Sequence, residues 1–330
     1  MTRVVSWSGP VTKQSRDGSF STINSISRRP TIQCVAMPEP VGKSTRVGRD
    51  NANRDWWESH PMTYDWEKTL QIEPYSQEWY DEIDRRFFES AYYAQGKGHA
   101  PFSRFIPESA IRGMRVLEIG CGMGSHAELL VRRGANLTAI DQTSFAVRAT
   151  MERMKIRRLP IDVRELDAEQ LRLPEDEFDL VWAWGVIHHS RSTETIVKNV
   201  ARVLKPGGSF RFMVYYRPCL VYWLHCALIR GVFAGQLRKK TLNQIYVDSA
   251  DGFFARTFTK GELDMLLDPY FRDIKYTVLG LKAELFPIPR GRFKVGIEKA
   301  TPDWLAQAVL SRWGSMIFVQ TRRGVGRVQV

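Results

Sequence analysis

The chain has 330 residues, 43% hydrophobic and 25% charged. That is ample material for a core, and it excludes a chain disordered throughout, a collagen-like repeat and a multi-span membrane protein. Lys and Arg number 48 against 36 Asp and Glu, for a net charge of +12, and the excess lies in residues 1–50 and 211–330. Nucleic acid, anionic lipid or an acidic metabolite would each suit such a surface.

Residues 1–50 are rich in Ser, Thr, Arg, Pro and Gly without any apolar period and read as a disordered basic tail. Residues 51–114 turn acidic and aromatic, and Trp79, Ile83, Phe87 and Ala91 fall at helical spacing. This stretch reads as a helical cap packed on the main domain, residues 115–330. There, short apolar runs (Val116 to Ile119, Leu137 to Ile140, Ile161 to Leu166, Phe178 to Trp184, Phe210 to Tyr215) alternate with amphipathic helices from Ser125, Ser144 and Ser192. Such alternation predicts a parallel sheet with helices on both faces.

Residues 217–258 break the pattern. Leu220, Trp223, Leu224, Ala227, Leu228 and Val232 make a helix apolar nearly all round, ending in Arg238, Lys239 and Lys240. Packing, a homodimer contact or a lid over a partly apolar acceptor is preferred here to an interfacial helix on an anionic membrane. The apolar run Cys219 to Ile229 is about half the ~20 residues that cross a bilayer. Farther on, Thr259 and Glu262 form a capping box, and Phe271 to Leu281 and Ser315 to Thr321 read as strands six and seven. Between them Lys282, Arg290, Arg292 and Lys294 read as a loop, either solvated or receiving an acidic acceptor group. Cys34, Cys121, Cys219 and Cys226 show neither CxxC pairing nor zinc spacing, so no metal or disulfide scaffold is expected and a reducing, cytoplasmic compartment fits.

The densest signal is Val116-Leu117-Glu118-Ile119-Gly120-Cys121-Gly122-Met123-Gly124-Ser125, a buried strand entering a glycine loop that opens a helix. Glycines allow the sharp turn and close approach, and the helix N-terminus favours an anion, so a nucleotide-like ligand is implied. Asp141 ends the next strand, where a carboxylate can accept two ribose hydroxyls or simply cap the following helix. Leu166-Asp167-Ala168, Trp184-Gly185-Val186-Ile187-His188-His189 and Leu204-Lys205-Pro206-Gly207-Gly208 follow in order.

From Arg115 to Tyr215 this order resembles the class I S-adenosylmethionine-dependent methyltransferases. The flanks Trp56 to Trp66 and Asp251 to Arg323 resemble a bacterial branch of that family, which suggests architecture and no substrate. The resemblance implies a Rossmann-like, seven-stranded mixed sheet with S-adenosyl-L-methionine as the cofactor. By the same resemblance Gly120, Gly122 and Gly124 cradle its methionine portion, with Glu118 organising the loop and Cys121 a small cofactor-binding residue within it. Asp141 takes the ribose, Asp167 the adenine amino group and the Ala168 backbone a ring nitrogen, with Gln142 and Trp184 also among the cofactor-binding residues.

Methyl transfer from a sulfonium needs alignment and exclusion of water, and a hydroxyl acceptor also needs a base. His189 is the favoured candidate and His188 its neighbour, both after strand four, while His126 reads as a polar or capping residue. Substrate-facing candidates are His60, Tyr64 and Trp66 in the cap, Tyr215, Tyr216 and Trp223 near the insertion, and Lys282 and Arg290. Trp57, Tyr64 and Trp66 could shield a sulfonium by cation–π attraction. The leading expectation is a methyltransferase acting on a small-molecule hydroxyl. An RNA or protein methyltransferase docking through the basic C-terminal third, or a donor-binding protein without catalysis, are the alternatives.

Overall fold

The computed structural model describes residues 41–42, 52–64, 71–95, 100–289 and 291–324, all within one compact unit. The expected tail lies outside them, except that Val41–Gly42 form a short strand, β1. Helices α1 (Ala52–Ser59) and α2 (Gln77–Ser90) follow. Ser76 caps α2 by accepting the Trp79 N–H at 3.1 Å. Trp79, Tyr80, Ile83 and Phe87 then turn inward, while Glu82, Arg85 and Glu89 pair along the outer face.

The alternation then runs β2 (Arg115–Ile119), α3 (Ser125–Arg132), β3 (Asn136–Asp141), α4 (Ser144–Arg157), β4 (Asp162–Glu165), β5 (Phe178–Trp184), α5 (Thr193–Val203) and β6 (Leu204–Tyr215). After an insertion holding α6 (Leu242–Val247) and β7 (Phe254–Ala255) come α7 (Lys260–Leu267), β8 (Phe271–Leu279), α8 (Arg292–Ala300), α9 (Asp303–Trp313) and β9 (Met316–Arg323). Seven strands form one sheet in the order β4-β3-β2-β5-β6-β9-β8, and β9 alone runs antiparallel to its neighbours. β2 is central, with Glu118 opposite Ala139 on one side and Trp182 on the other. Burial on both faces explains the continuous apolar runs of β2 and β5. Right-handed crossovers step one way from β2 to β4 and the other way from β5 to β6, which puts α3 and α4 on the face opposite α5.

Two features differ from the sequence reading. The loop expected between strands six and seven contains two helices, α8 and α9, the second entered through Pro302 and resting on Ala306 and Leu310. The apolar helix of the insertion, Val221–Phe233, is a π-helix. Its buried residues Tyr222, Cys226 and Gly231 are four and five apart, and an i→i+5 ladder brings such spacings onto one face. Residues of the 51–114 stretch are tied into the body: Tyr80 donates to the Ala149 carbonyl at 2.6 Å and Ser125 to Asp84 at 2.7 Å. The buried Arg153 guanidinium joins Asp84 to Glu128, and Arg157 reaches both Glu128 and Asp81.

Candidate functional site

Strand order reverses between β2 and β5, and a crevice opens at their carboxyl ends as expected of open parallel sheets. A cavity of about 900 Å³ occupies it, walled by the loops after β2, β3, β4 and β5, by α1 and by the insertion.

The glycine loop forms its floor. Gly120 has φ +78°, and a Cβ there would stand 2.2 Å from Val186 Cγ2, so only glycine permits the turn beside that side chain. The Gly120 and Cys121 N–H groups donate to the Ile140 carbonyl at 2.7 and 3.2 Å. Asp141 accepts from Gly122 N–H at 3.2 Å and from the Thr143 N–H and hydroxyl at 3.0 and 2.8 Å. Burial raises the Asp141 carboxyl, and these hydrogen bonds oppose the rise.

Two buried polar atoms beside this loop have no partner among the described residues: Glu118 Oε2 and His126 Nε2. Burial, then the Asp141 charge, holds Glu118 well above the usual carboxylate range. The Trp182 indole donates to His126 Nδ1 at 2.7 Å, which leaves the ring proton on Nε2. Burial pushes His126 down to about 3, so it stays neutral, and both residues line the cavity. His126 went unassigned to the ligand in the sequence because only Trp182, distant in sequence, fixes its tautomer.

Asp167 and Ala168 line the adjoining wall with Gln142. Asp167 also caps a short 3₁₀ turn, accepting the Glu169 N–H at 2.8 Å. Glu169 accepts from Ser190 Oγ, Arg191 N–H and Ser192 N–H at 2.6, 3.1 and 3.2 Å, which anchors the loop carrying both histidines.

Within that loop the histidines differ. His189 lines the cavity, and its Nδ1–H donates to the Phe254 carbonyl on β7 at 2.6 Å, leaving Nε2 as the acceptor nitrogen. His188 is wholly buried, its two ring nitrogens lack partners among the described residues, and burial, then the neighbouring His189, pushes it well below the usual histidine range. It packs on Tyr215 at 4.1 Å and does not line the cavity.

Helix α1 closes one side. Arg54 pairs with Glu165 at 2.5 Å, Glu58 accepts from Ser144 Oγ and Phe145 N–H on α4, and Trp57 meets His189 edge-on at 5.1 Å. Tyr64, Tyr93, Trp184, Tyr215 and Tyr246 add an aromatic wall. Burial raises all four tyrosines, which keeps their hydroxyls neutral. Glu284, not expected from the sequence, completes this side. Oε1 accepts from Leu281 N–H at 2.7 Å and Ser315 Oγ at 2.8 Å, Oε2 from Ser315 N–H at 2.8 Å, and burial raises the carboxyl to about 7.

Other expected site residues lie elsewhere. His60 is exposed and stacked on Trp56 at 4.1 Å, and Trp223 faces outward. Lys282 is spent on the Thr301 carbonyl and Asp303, at 2.7 and 2.6 Å. Gly124 packs against Arg153 and Thr150, and Tyr216 bridges to Phe258; neither lines the cavity. Trp66 and Arg290 lie outside the described residues.

Residues 117–212 match the family described as a methyltransferase domain. A ubiquinone biosynthesis O-methyltransferase of Rhizobium rhizogenes is 34% identical over 104 residues, 31% of this chain and 42% of that one. One from Methylocella silvestris is 29% identical over 172 residues, 52% of this chain and 60% of that one. The chain spans about half the length of the curated relatives it matches. Among solved structures, an S-adenosylmethionine-dependent methyltransferase from Mesorhizobium loti covers 64% of this chain and 92% of its own, at 17% identity and a TM-score of 0.42.

Proposed function

Because residues 117–212 form a class I S-adenosylmethionine-dependent methyltransferase domain, we propose that the protein methylates a hydroxyl oxygen of a small-molecule acceptor, with His189 taking the proton. Support for the cofactor comes from the loop itself. The Gly120 turn leaves backbone where a Cβ would collide, and Glu118 Oε2 and the His126 Nε2–H are a buried acceptor and donor without partners. Together they suit the ammonium and carboxylate of an amino acid, and Asp141 suits a ribose. When bound, the sulfonium supplies an activated methyl group, so the chain's own work is alignment, exclusion of water and proton removal.

The observation that carries the oxygen assignment is the His189 tautomer. A carbonyl fixed on β7 holds Nδ1–H, so Nε2 is the basic nitrogen in a ring lining the cavity. Trp57 and the Glu169-anchored loop set the ring's position. The named activity of the O-methyltransferase relatives agrees with this reading.

Incubation of small-molecule, RNA and protein fractions with isotopically labelled donor tests the acceptor class, and label in small molecules is expected. In the same assay His189→Ala should lower turnover by about 10²- to 10⁴-fold with calorimetric donor affinity unchanged. Turnover of the parent protein should fall on acidification. Label confined to RNA or protein, or full turnover by His189→Ala, rejects the reading.

A further inference from the structure

The surface beside the insertion is unusual in what it leaves in water. On the Val221–Phe233 helix, Trp223, Leu228 and Val232 repeat at spacings of five and four, opposite the buried Tyr222, Cys226 and Gly231. Trp223 is 55% exposed and Phe233, at the helix end, 78%. His225 of this helix lies beside the backbone of Glu284 and the charge of Lys294 on α8, and α9 joins the same Lys282–Leu285 turn through the Lys282–Asp303 pair. These too expose aromatics: Phe293 is 74% exposed and Trp304 71%, with Leu305 and Trp313 alongside. A folded monomer rarely leaves so many large apolar groups in one region without a use for them.

The charge identifies the occupant. Arg238 and Lys239 just after the Val221–Phe233 helix, Arg292 and Lys299 on α8 and Arg312 on α9 are exposed, and residues 211–330 hold 19 Lys and Arg against 9 Asp and Glu. A second copy of this chain would bring like charge onto like charge, whereas an anionic lipid surface complements it. Exposed Trp and Phe among cations is the composition of a helix lying in a headgroup layer. None of the described helices is long and apolar enough to cross a membrane. We propose that the outer face of the Val221–Phe233 helix, with α8 and α9, seats the protein on an anionic lipid bilayer. The inner side of the same helix contributes Val221 to the cavity wall, which brings an apolar acceptor in the bilayer next to the site.

Co-sedimentation of the full chain with phosphatidylglycerol-containing vesicles, against vesicles of phosphatidylcholine alone, tests this directly. Binding to the anionic vesicles alone, weakened by salt, is expected. Phe233→Ser with Trp304→Ser should lower partitioning by about tenfold or more, and Lys239→Glu with Lys294→Glu should remove the lipid preference. Circular dichroism and calorimetric donor binding, expected to be unchanged, show that the variants fold. Absence of binding to anionic vesicles, or binding that these changes leave intact, overturns the proposal. So does a lipid-free dimer in sedimentation equilibrium that the serine variants dissociate.

Discussion

Two histidines adjacent in sequence have opposite fates because a 3₁₀ turn, Ile187–His189, points successive side chains in different directions. His189 meets the cavity and a carbonyl, His188 the core. His188→Phe should therefore keep near-normal turnover and lose no thermal stability, since it removes two buried unpartnered nitrogens. A large loss of turnover with the fold intact would return His188 to the chemistry. Glu284 offers a second residue-level test. Burial raises its carboxyl to about 7 from 4.5, so between these values the folded chain holds a proton that the unfolded chain has released. Its contribution is most favourable below the unfolded value and declines as pH rises to about 7, by on the order of 3 kcal/mol in all. Urea unfolding at pH 5 and pH 8 should show Glu284→Gln gaining stability relative to the parent at the higher pH. A parent-to-variant difference independent of pH would contradict that burial.

At the scale of elements, the cap and the donor-loop side of the sheet meet through charge as well as apolar contact. Arg153 on α4 is 1% exposed and joins Asp84 of α2 to Glu128 of α3, while also donating to the Met123 carbonyl in the glycine loop at 3.3 Å. Arg153→Met leaves two carboxylates without this partner, and unfolding in urea should show a loss of about 3 kcal/mol. A loss below about 1 kcal/mol, the range of exposed pairs, would mean that Arg132, Arg157 and water replace it. The insertion makes the complementary point. Its residues are apolar nearly all round when wound at an α-helical period, and only the wider π ladder separates the buried Tyr222, Cys226 and Gly231 from the exposed Trp223, Leu228 and Val232.

For the whole molecule, the boundary at residue 50 misses a long-range connection. Val41 pairs with Ala255 and Gly42 with Phe254, the residue whose carbonyl holds His189. A chain beginning at Asn51 should retain its fold and donor binding, because the glycine loop and Asp141 lie on the central strands. Its turnover should nevertheless fall several-fold relative to a chain beginning at Pro38. Equal turnover by the two would show that β7 holds its carbonyl without β1.

What the sequence determined by itself was whatever depends on local pattern. The short apolar runs, the helices capped at Thr143, Ser192 and Thr259, and the glycine loop leading to Asp141 each follow from neighbours within a few residues. That was enough for the sheet and for the glycine loop on the cavity floor. The remaining cavity groups were decided by tertiary structure, because their chemistry is set across long separations. Phe254 selects the His189 tautomer from 65 residues away, Trp182 that of His126 from 56, and Ser315 meets Glu284 across 31. Burial, which depends on how distant segments pack, then fixed which of these groups carry charge.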